Sequence, residues 1–430
     1  MKNVKSGYFF LSWLNRFIVS WFSVFIIVLI FIIMPFLKIN TTLEFYSVSI
    51  LITTITIVIA IFSFEFSIIQ LAEKDTEPDI NSELLGVNHK STLELLKYYS
   101  NEKPMIMDIN GKKVEIPVTV IHEFKKGIEL RNITAVKSGE VYRIPEELLG
   151  FRIKSTRILQ SVKGIEFKPY DKISLLNRLK VDAENRMVLS LYEGRLADEY
   201  ATIQNPDNTF TEKGEFRNKT IREFLNHDGK FPDANDNFDR HVHSIPYRVA
   251  MHVVIELRDG NIVLQKRSSR RVATSKGEIT SSAGGGMDWK DLRHGAKKSI
   301  SRFVLREIRE EISIKEKEIE SLKVYAVIRE MRRLGQPMII IVGKSKLSYP
   351  ELFKRWEQAS RYAGNYWFYP YWYMYTTIHR KIGREFWEME SPIALKREEI
   401  ASILLDDDLQ PPTKVALYYL QRDFEPQGSL

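Results

Sequence analysis

Two long uncharged stretches near the N-terminus constrain this chain most. Residues 17–37 are 21 consecutive residues without a charged side chain, and residues 45–64 are another 20. At about 1.5 Å of rise per residue, each stretch spans the roughly 30 Å hydrocarbon core of a bilayer as a helix. A cleaved signal peptide fits less well, because the first stretch is longer than a signal's apolar core. We therefore predict two spans, residues 17–37 and 45–69, in a transmembrane hairpin of residues 1–72.

The charges that flank these stretches predict their orientation. Lys2, Lys5 and Arg16 precede the first stretch, whereas Lys38 is the single basic residue between the two. Loops rich in lysine and arginine stay on the cytoplasmic side. The predicted topology is therefore two-pass, with the N-terminus and the soluble C-terminal part both in the cytoplasm.

The second predicted span carries a stripe of small and hydroxylated residues. Its members follow one another at alternating steps of four and three: Ser49, Thr53, Thr56, Ala60, Ser63 and Ser67. Small residues let helices approach closely in lipid, and hydroxyl groups hydrogen-bond across the contact. The stripe fits packing against the first span of the same chain and a seam between subunits equally well.

The part of the chain that follows the spans divides into three by composition. Residues 73–204 read as a mixed, strand-rich module, with a helical pattern at 93–99 and an alternating strand at 113–120. Residues 205–237 are rich in Asn, Asp, Gly and Pro, which predicts a linker. Residues 238–430 form a unit with clearer element signals.

The signals in residues 238–430 predict an α/β sandwich. They are an apolar run at 250–257, the turn Asp259-Gly260, a return strand at 262–265, three glycines at 284–286, a helix at 296–312, strands at 324–328 and 338–342, and a closing helix at 412–422. The complete predicted class is a membrane-anchored α/β protein, with a transmembrane hairpin, a strand-rich middle module and this sandwich.

Three carboxylates share one face of the predicted helix. Glu310 and Glu311 follow Glu307 by three and four residues, so the like charges repel unless a cation lies between them. Magnesium prefers carboxylate oxygens and keeps waters or substrate phosphates as its other ligands. The alternative is a solvated helix face on which Glu311 pairs with Lys315.

Residues 306–314, Arg-Glu-Ile-Arg-Glu-Glu-Ile-Ser-Ile, resemble the second half of the Nudix box. The upstream hairpin and glycine cluster agree with that family, and the resemblance covers roughly residues 246–345. It implies a Nudix-like fold that holds Mg²⁺ through Glu307, Glu310 and Glu311 and activates water against a nucleoside diphosphate linked to another group. It implies that Arg306 orients these glutamates, so the four residues are the candidate catalytic set.

The chain departs from the Nudix pattern at three points. Ser313 replaces the usual glycine, and Lys298 stands where the family has another glutamate. The segment between Gly286 and Arg306 is also longer than the box allows and includes Asp291. A lysine in place of an acid weakens metal binding, so we predict binding without efficient hydrolysis as one outcome.

Two clusters outside the helix are candidates for contact with a nucleotide. The basic candidates are Lys266, Arg267, Arg270, Arg271 and Arg332. Trp367 and Tyr371 represent an aromatic run at residues 362–375, on which bases could stack. The net charge of +8 suits a phosphate-bearing partner. A core strand and a membrane-surface patch are alternatives for the aromatic run.

The predicted order of parts resembles the two-span Nudix effectors of bacterial CBASS anti-phage systems. That resemblance implies a Nudix-like domain that senses a cyclic oligonucleotide made by a cognate nucleotide cyclase. It implies hairpins that oligomerise with copies of the chain and disrupt the lipid of the bacterial inner membrane, giving abortive infection. The alternatives are a membrane-tethered Nudix hydrolase of a nucleoside diphosphate-linked substrate and an adaptor that recruits a soluble partner.

Overall fold

The computed structural model describes residues 92–99, 103–161, 169–207, 219–225, 245–267, 277–364 and 389–422. The chain divides into two units, Met1–Asp79 and Ile80–Leu430, and all of the described residues belong to the second. The predicted hairpin with its spans and its small-residue stripe lies outside them. None of the helices in the described ranges is long and apolar enough to cross a membrane. The predicted membrane-anchored α/β class is therefore corrected to a strand-rich domain built on a mixed sheet.

The first half of the described chain is mostly strand. Its elements are α1 (Thr92–Leu96), β1 (Met105–Ile109), β2 (Lys112–Ile116), β3 (Val118–Glu129), β4 (Ile133–Val141), α2 (Leu149–Ser161), β5 (Lys172–Val181), β6 (Met187–Arg195), α3 (Leu196–Tyr200) and α4 (Ile221–Leu225). The strand predicted at 113–120 is two strands, β2 and β3. Pro117 lies between them, and a proline has no N–H to donate to a strand ladder.

The second half contains the β-hairpin predicted around Asp259-Gly260 and the long helix predicted at 296–312. Its elements are β7 (Ala250–Glu256), β8 (Ile262–Arg267), β9 (Ile279–Thr280), β10 (Ala283–Gly286), α5 (Ser299–Ile312), β11 (Ile319–Glu330), β12 (Gln336–Ser345), α6 (Tyr349–Gly364), β13 (Met389–Leu395), α7 (Ile400–Ile403) and α8 (Pro411–Arg422). The turn between β7 and β8 is confirmed, with Gly260 at a φ of 75° that glycine adopts without strain.

The main sheet joins parts that the sequence assigned to different modules. Its 8 strands run in the order β13-β8-β7-β12-β11-β3, with β10 beside β7 and β9 beside β8. β7 and β12 are parallel, whereas β3 and β11 pair antiparallel from Val118↔Glu330 to Glu129↔Lys323. β3, from the part predicted as a middle module, therefore completes the same sheet as β11 of the predicted sandwich.

A smaller sheet, β4-β6-β5, brings the first half of the chain to one end of β7. Ser174 of β5 donates its N–H to Met287 O at 3.0 Å and accepts from Val249 N at 3.1 Å. Leu176 of the same strand donates to Tyr247 O at 2.7 Å. These bonds hold α3, which directly follows β6, close to the glycines of β10.

Both faces of the main sheet are covered by apolar side chains. On one face, Met251 and Val253 of β7 belong to a core with Phe303 and Ile308 of α5. On the other, Val254 of β7 and Ile340 of β12 pack with α8 residues that include Leu417 and Tyr419. Successive residues of a strand point to opposite faces of the sheet. A strand that is covered on both faces is therefore apolar along its whole length. This burial fixes α5 against β10, where the site lies.

Candidate functional site

A polar cavity of about 220 Å³ lies between β10 and the last turns of α5. We call it the β10 cavity. Its charged and polar lining comes from several separate parts of the chain and includes Glu199, Gln204, Arg248, His252, Arg267, Asp288, Arg306, Glu307, Glu311, Arg333, Gln336 and Gln410. Acids and guanidinium groups therefore share one small volume.

Glu307 and Glu311, one turn apart on α5, reach the cavity beside the glycines of β10. Both are 4% exposed. A Cβ atom on Gly285 would lie 2.8 Å from the Glu307 carboxyl carbon, so a glycine is needed for this approach. Glu311 Oε2 accepts from Gly284 N at 3.1 Å and from Gln265 Nε2 at 3.4 Å. The glycine strand thus positions two buried carboxylates.

Arg306 is surrounded by acids. It donates to both carboxylate oxygens of Asp291, at 3.3 and 3.0 Å, and to Glu310 Oε2 at 3.0 Å. Its Nη2 also lies 2.8 Å from Glu307 Oε1. Burial alone lowers the pKa of Arg306, but Glu307, Asp291 and Glu310 raise it further than burial lowers it. Arg306 is therefore a permanent cation that forms ion pairs with Asp291, Glu307 and Glu310.

The predicted three-glutamate metal site is not assembled as a set. Glu310 pairs with Arg306 and is not in the cavity lining. No group of three or more His, Asp or Glu side chains that could hold a metal lies in the described ranges. Two carboxylates nevertheless fit the mode in which Mg²⁺ takes one or two protein carboxylates and completes its shell with waters and substrate phosphates. Glu307 and Glu311 are the residues that would hold it.

Arg248 lines the cavity and is held by several acceptors. It donates to Gly286 O at 2.8 Å, to Asp288 Oδ1 at 2.9 Å and to Glu199 Oε2 at 3.1 Å. Burial raises the pKa of Asp288, but the neighbouring positive charges, of which Arg248 has the largest effect, lower it by more. The carboxylate is therefore ionised at neutral pH. Sequence reasoning missed Arg248 and Glu199, because they lie 49 positions apart and neither belongs to a motif.

The candidate nucleotide-binding residues divide into four groups. Arg267 lines the cavity, together with Arg333. Arg332 is buried and is not in the lining. It pairs with Glu278 at 3.1 Å and with Glu330 at 3.0 Å. Lys266 is exposed on β8 and is not in the lining. The remaining candidates, Arg270, Arg271, Trp367 and Tyr371, lie outside the described residues.

His252 on β7 is a cavity residue that sequence reasoning also missed. Burial lowers its pKa to about 3, with Arg333, Arg267 and Arg332 adding to the effect. It is therefore neutral at pH 7, and its Nδ1 lies 3.0 Å from Ser281 Oγ. The available signal was a histidine near the start of the otherwise mostly apolar run at 250–257.

Comparison with known proteins adds little to this geometry. No family model matches the chain, and no curated protein matches it. The crystal structure of DR0079 from Deinococcus radiodurans is similar over 41% of this chain and 83% of its own, at 13% identity and a TM-score of 0.26. A likeness this weak shows neither family nor function.

Proposed function

We propose that the β10 cavity binds the phosphates of a nucleotide together with Mg²⁺, and that the domain is a nucleotide sensor. The observation that carries the proposal is the placement of two buried carboxylates, Glu307 and Glu311, in one cavity with Arg267 and Arg333. A phosphate group can use both kinds of side chain at once. Guanidinium groups donate to its oxygens, and a divalent cation joins those oxygens to carboxylates.

The arginines are positioned for this role. Arg333 donates to Gln204 Oε1 at 2.6 Å and pairs with Glu330 at 3.2 Å. These contacts restrict its rotamers, so less conformational entropy is lost when a ligand binds. The net charge of +8 raises the local concentration of anionic ligands.

Binding without rapid turnover agrees with the geometry of the helix. Glu310 is held by Arg306, which leaves two carboxylates for a cation. Mg²⁺ would neutralise phosphate charge and lower the pKa of a bound water. Hydrolysis of a diphosphate link is the second candidate, and it is favoured by the buried Glu307 carboxylate against Gly285. Glu307 is then the residue placed to accept a proton from water.

The identity of the nucleotide rests on the sequence resemblance alone. A cyclic oligonucleotide of an antiviral signalling system is the ligand which that resemblance implies, and it supplies the first probes. The predicted inner-membrane location and hairpin oligomer concern residues 1–72, which lie outside the described residues.

Calorimetric titration of the full-length protein, purified in detergent, tests the proposal. The probes are cyclic di- and trinucleotides and ADP-ribose, each with Mg²⁺ and with EDTA. We expect Mg²⁺ to tighten binding at least about 10-fold, which corresponds to about 1.4 kcal/mol or roughly one hydrogen bond to a charged group. Glu307→Gln and Glu311→Gln should remove that gain, whereas Glu310→Gln should keep most of it.

Glu316→Gln is the matched control, because Glu316 is exposed and is not in the cavity lining. An equal loss in Glu310→Gln would restore the three-glutamate site. Absence of binding by every probe would overturn the proposed function. Chromatography of the titrated nucleotide separates the two candidates, since a hydrolase releases two products and a sensor returns its ligand intact.

A further inference from the structure

Gln336, the first residue of β12, carries a buried acceptor at the β10 cavity. The residue is 2% exposed and lines the cavity. Its Nε2 donates to the backbone carbonyl of Arg248 at 3.3 Å. Its Oε1 is buried and accepts a hydrogen bond from no described residue. The side chain therefore has one end fixed and one acceptor unused.

The orientation of this amide follows from its partner. Turning the group by 180° would place Oε1 against the Arg248 carbonyl, where two acceptors would repel each other. Nε2 must face that carbonyl, so the remaining group is an acceptor. A buried acceptor without a donor is costly, and a ligand that supplies the donor recovers this cost.

His252 presents a second acceptor. The Ser281 hydroxyl donates to Ala283 O at 3.0 Å, so its one hydrogen is in use. It must therefore accept from His252 Nδ1–H at 3.0 Å. With the proton on Nδ1, Nε2 of this neutral imidazole carries a lone pair.

The two acceptors stand at opposite ends of a short apolar floor. In the parallel pairing of β12 with β7, Ile340 lies opposite His252 and Met338 opposite Ala250. Gln336 is four residues before Ile340, so its backbone lies roughly 13 Å along the strands from that of His252. Ala250 and Met338 lie between them, and both are in the cavity lining. This length suits a nucleoside.

We propose that Gln336 and His252 are specificity-determining residues that accept hydrogen bonds from amino or hydroxyl groups on the nucleoside part of the ligand. The inference rests on the proposed function, which assigns the phosphates to Arg267, Arg333 and the two carboxylates. Phosphate oxygens offer acceptors only, so they cannot satisfy Gln336 or His252. A nucleoside with donor groups satisfies them, and an analogue without those groups leaves them unpaired.

Matched nucleotide pairs test this inference in the full-length protein with Mg²⁺. The pairs are GDP with IDP, which lacks the 2-amino group, ADP with purine riboside diphosphate, which lacks the 6-amino group, and ADP with its 2′-deoxy and 3′-deoxy forms. We expect the wild type to prefer the donor-bearing member of at least one pair by about 10-fold or more. Gln336→Met or His252→Phe should reduce that preference to less than about 2-fold.

Two further comparisons keep the result interpretable. Gln336→Met should lower the affinity only for the donor-bearing member of a pair, whereas a merely structural role for Gln336 would lower the affinity for both members alike. Lys344→Gln lies on the same strand outside the cavity lining and is the matched control. Equal affinity for both members of every pair, or an unchanged preference in both Gln336→Met and His252→Phe, would overturn the inference while leaving phosphate binding intact. Failure of every pair to bind would instead remove the proposed function, and this inference with it.

Discussion

Arg306 and Asp291 are joined by two hydrogen bonds, from Nε to Oδ1 at 3.3 Å and from Nη2 to Oδ2 at 3.0 Å. Asp291 belongs to the extra segment between β10 and α5. Lys298, at the position where the Nudix pattern has a glutamate, is exposed at the start of α5. The extra segment therefore supplies the carboxylate that Arg306 requires.

Replacing Asp291 with Asn should loosen Arg306 and, through it, Glu307. We expect the free energy of unfolding to fall by about 1.5–3 kcal/mol, the range for a hydrogen bond to a charged group. Nucleotide affinity should fall as well. Urea denaturation and calorimetric titration measure the two effects, with Glu316→Gln as the control. Unchanged affinity in Asp291→Asn would show that Arg306 keeps its position through Glu310 and Glu307 alone.

Adding a methyl group at Gly285 should impair the site more than the fold. The new Cβ would lie 2.8 Å from the Glu307 carboxyl carbon, and a side-chain end can move aside at low cost. In Gly285→Ala we expect Mg²⁺-dependent binding to weaken about 10-fold or more, because Glu307 must leave its position. The melting temperature should change little.

Gly139→Ala is the control for this substitution, since a Cβ at exposed Gly139 meets no described atom within 4 Å. Binding by Gly285→Ala at the wild-type level would show that the position of Glu307 does not matter.

The buried ion pair of Arg222 and Asp207 should be strongly coupled to stability. Their side chains are 0% and 1% exposed, with a shortest contact of 2.8 Å. Arg222 also donates to the carbonyls of Met331 and Arg332, so it ties α4 to the turn that precedes β12. Asp207→Asn should cost about 3–5 kcal/mol, because it leaves a buried guanidinium uncompensated.

Chemical denaturation of Asp207→Asn and of Asp182→Asn makes the comparison. Asp182 pairs with Arg186 on the exposed surface, where loss of the pair should be hard to detect. Similar small losses in both variants would contradict the role given to Arg222.

Acid should remove the contribution of one ion pair. Hydrogen bonds from Arg355 lower the pKa of Glu318 to about 2, against an opposing effect of burial and with help from the Lys315 N–H. A carboxyl whose pKa is lowered on folding stabilises the fold above its unfolded pKa of about 4.5. That stabilisation declines as the pH falls from about 4.5 towards 2.

The difference in unfolding free energy between the wild type and Glu318→Gln should therefore be present at pH 7 and shrink below about pH 4.5. Denaturation curves at pH 7, 5, 4 and 3 measure it, and Glu316→Gln should show no comparable trend. A difference that does not vary with pH would mean that the pair adds no charge-dependent stability.

Local patterns predicted individual elements well. The helix expected at 296–312 is α5, Ser299–Ile312, and the strands expected at 324–328 and 338–342 lie within β11 and β12. Each depends on short-range periodicity, which a sequence displays directly. The last turn of α5 also ends as its pattern suggests, with Ser313 at a φ of 58° in the place of a glycine.

Long-range pairing was not predictable in the same way. The ladder between β3 and β11 joins residues about 200 positions apart and leaves no local signal. Glu199 and Gln336, which both line the β10 cavity, are likewise far apart in the sequence and have no local signal that links them. Part of the segment predicted to be a linker is the helix α4. The sequence did not reveal this helix, because its buried Arg222 lies among residues that are typical of a loop.

The β3–β11 ladder has a consequence for synthesis of the chain. A ribosome completes β3 long before it reaches Ile319, so β3 must wait for its partner while almost 200 further residues are made. Throughout that interval the strand offers unpaired N–H and C=O groups to any other nascent chain. Transcripts cut short before β11 should accordingly yield products that aggregate or require a holding chaperone, even though every residue of β3 is present.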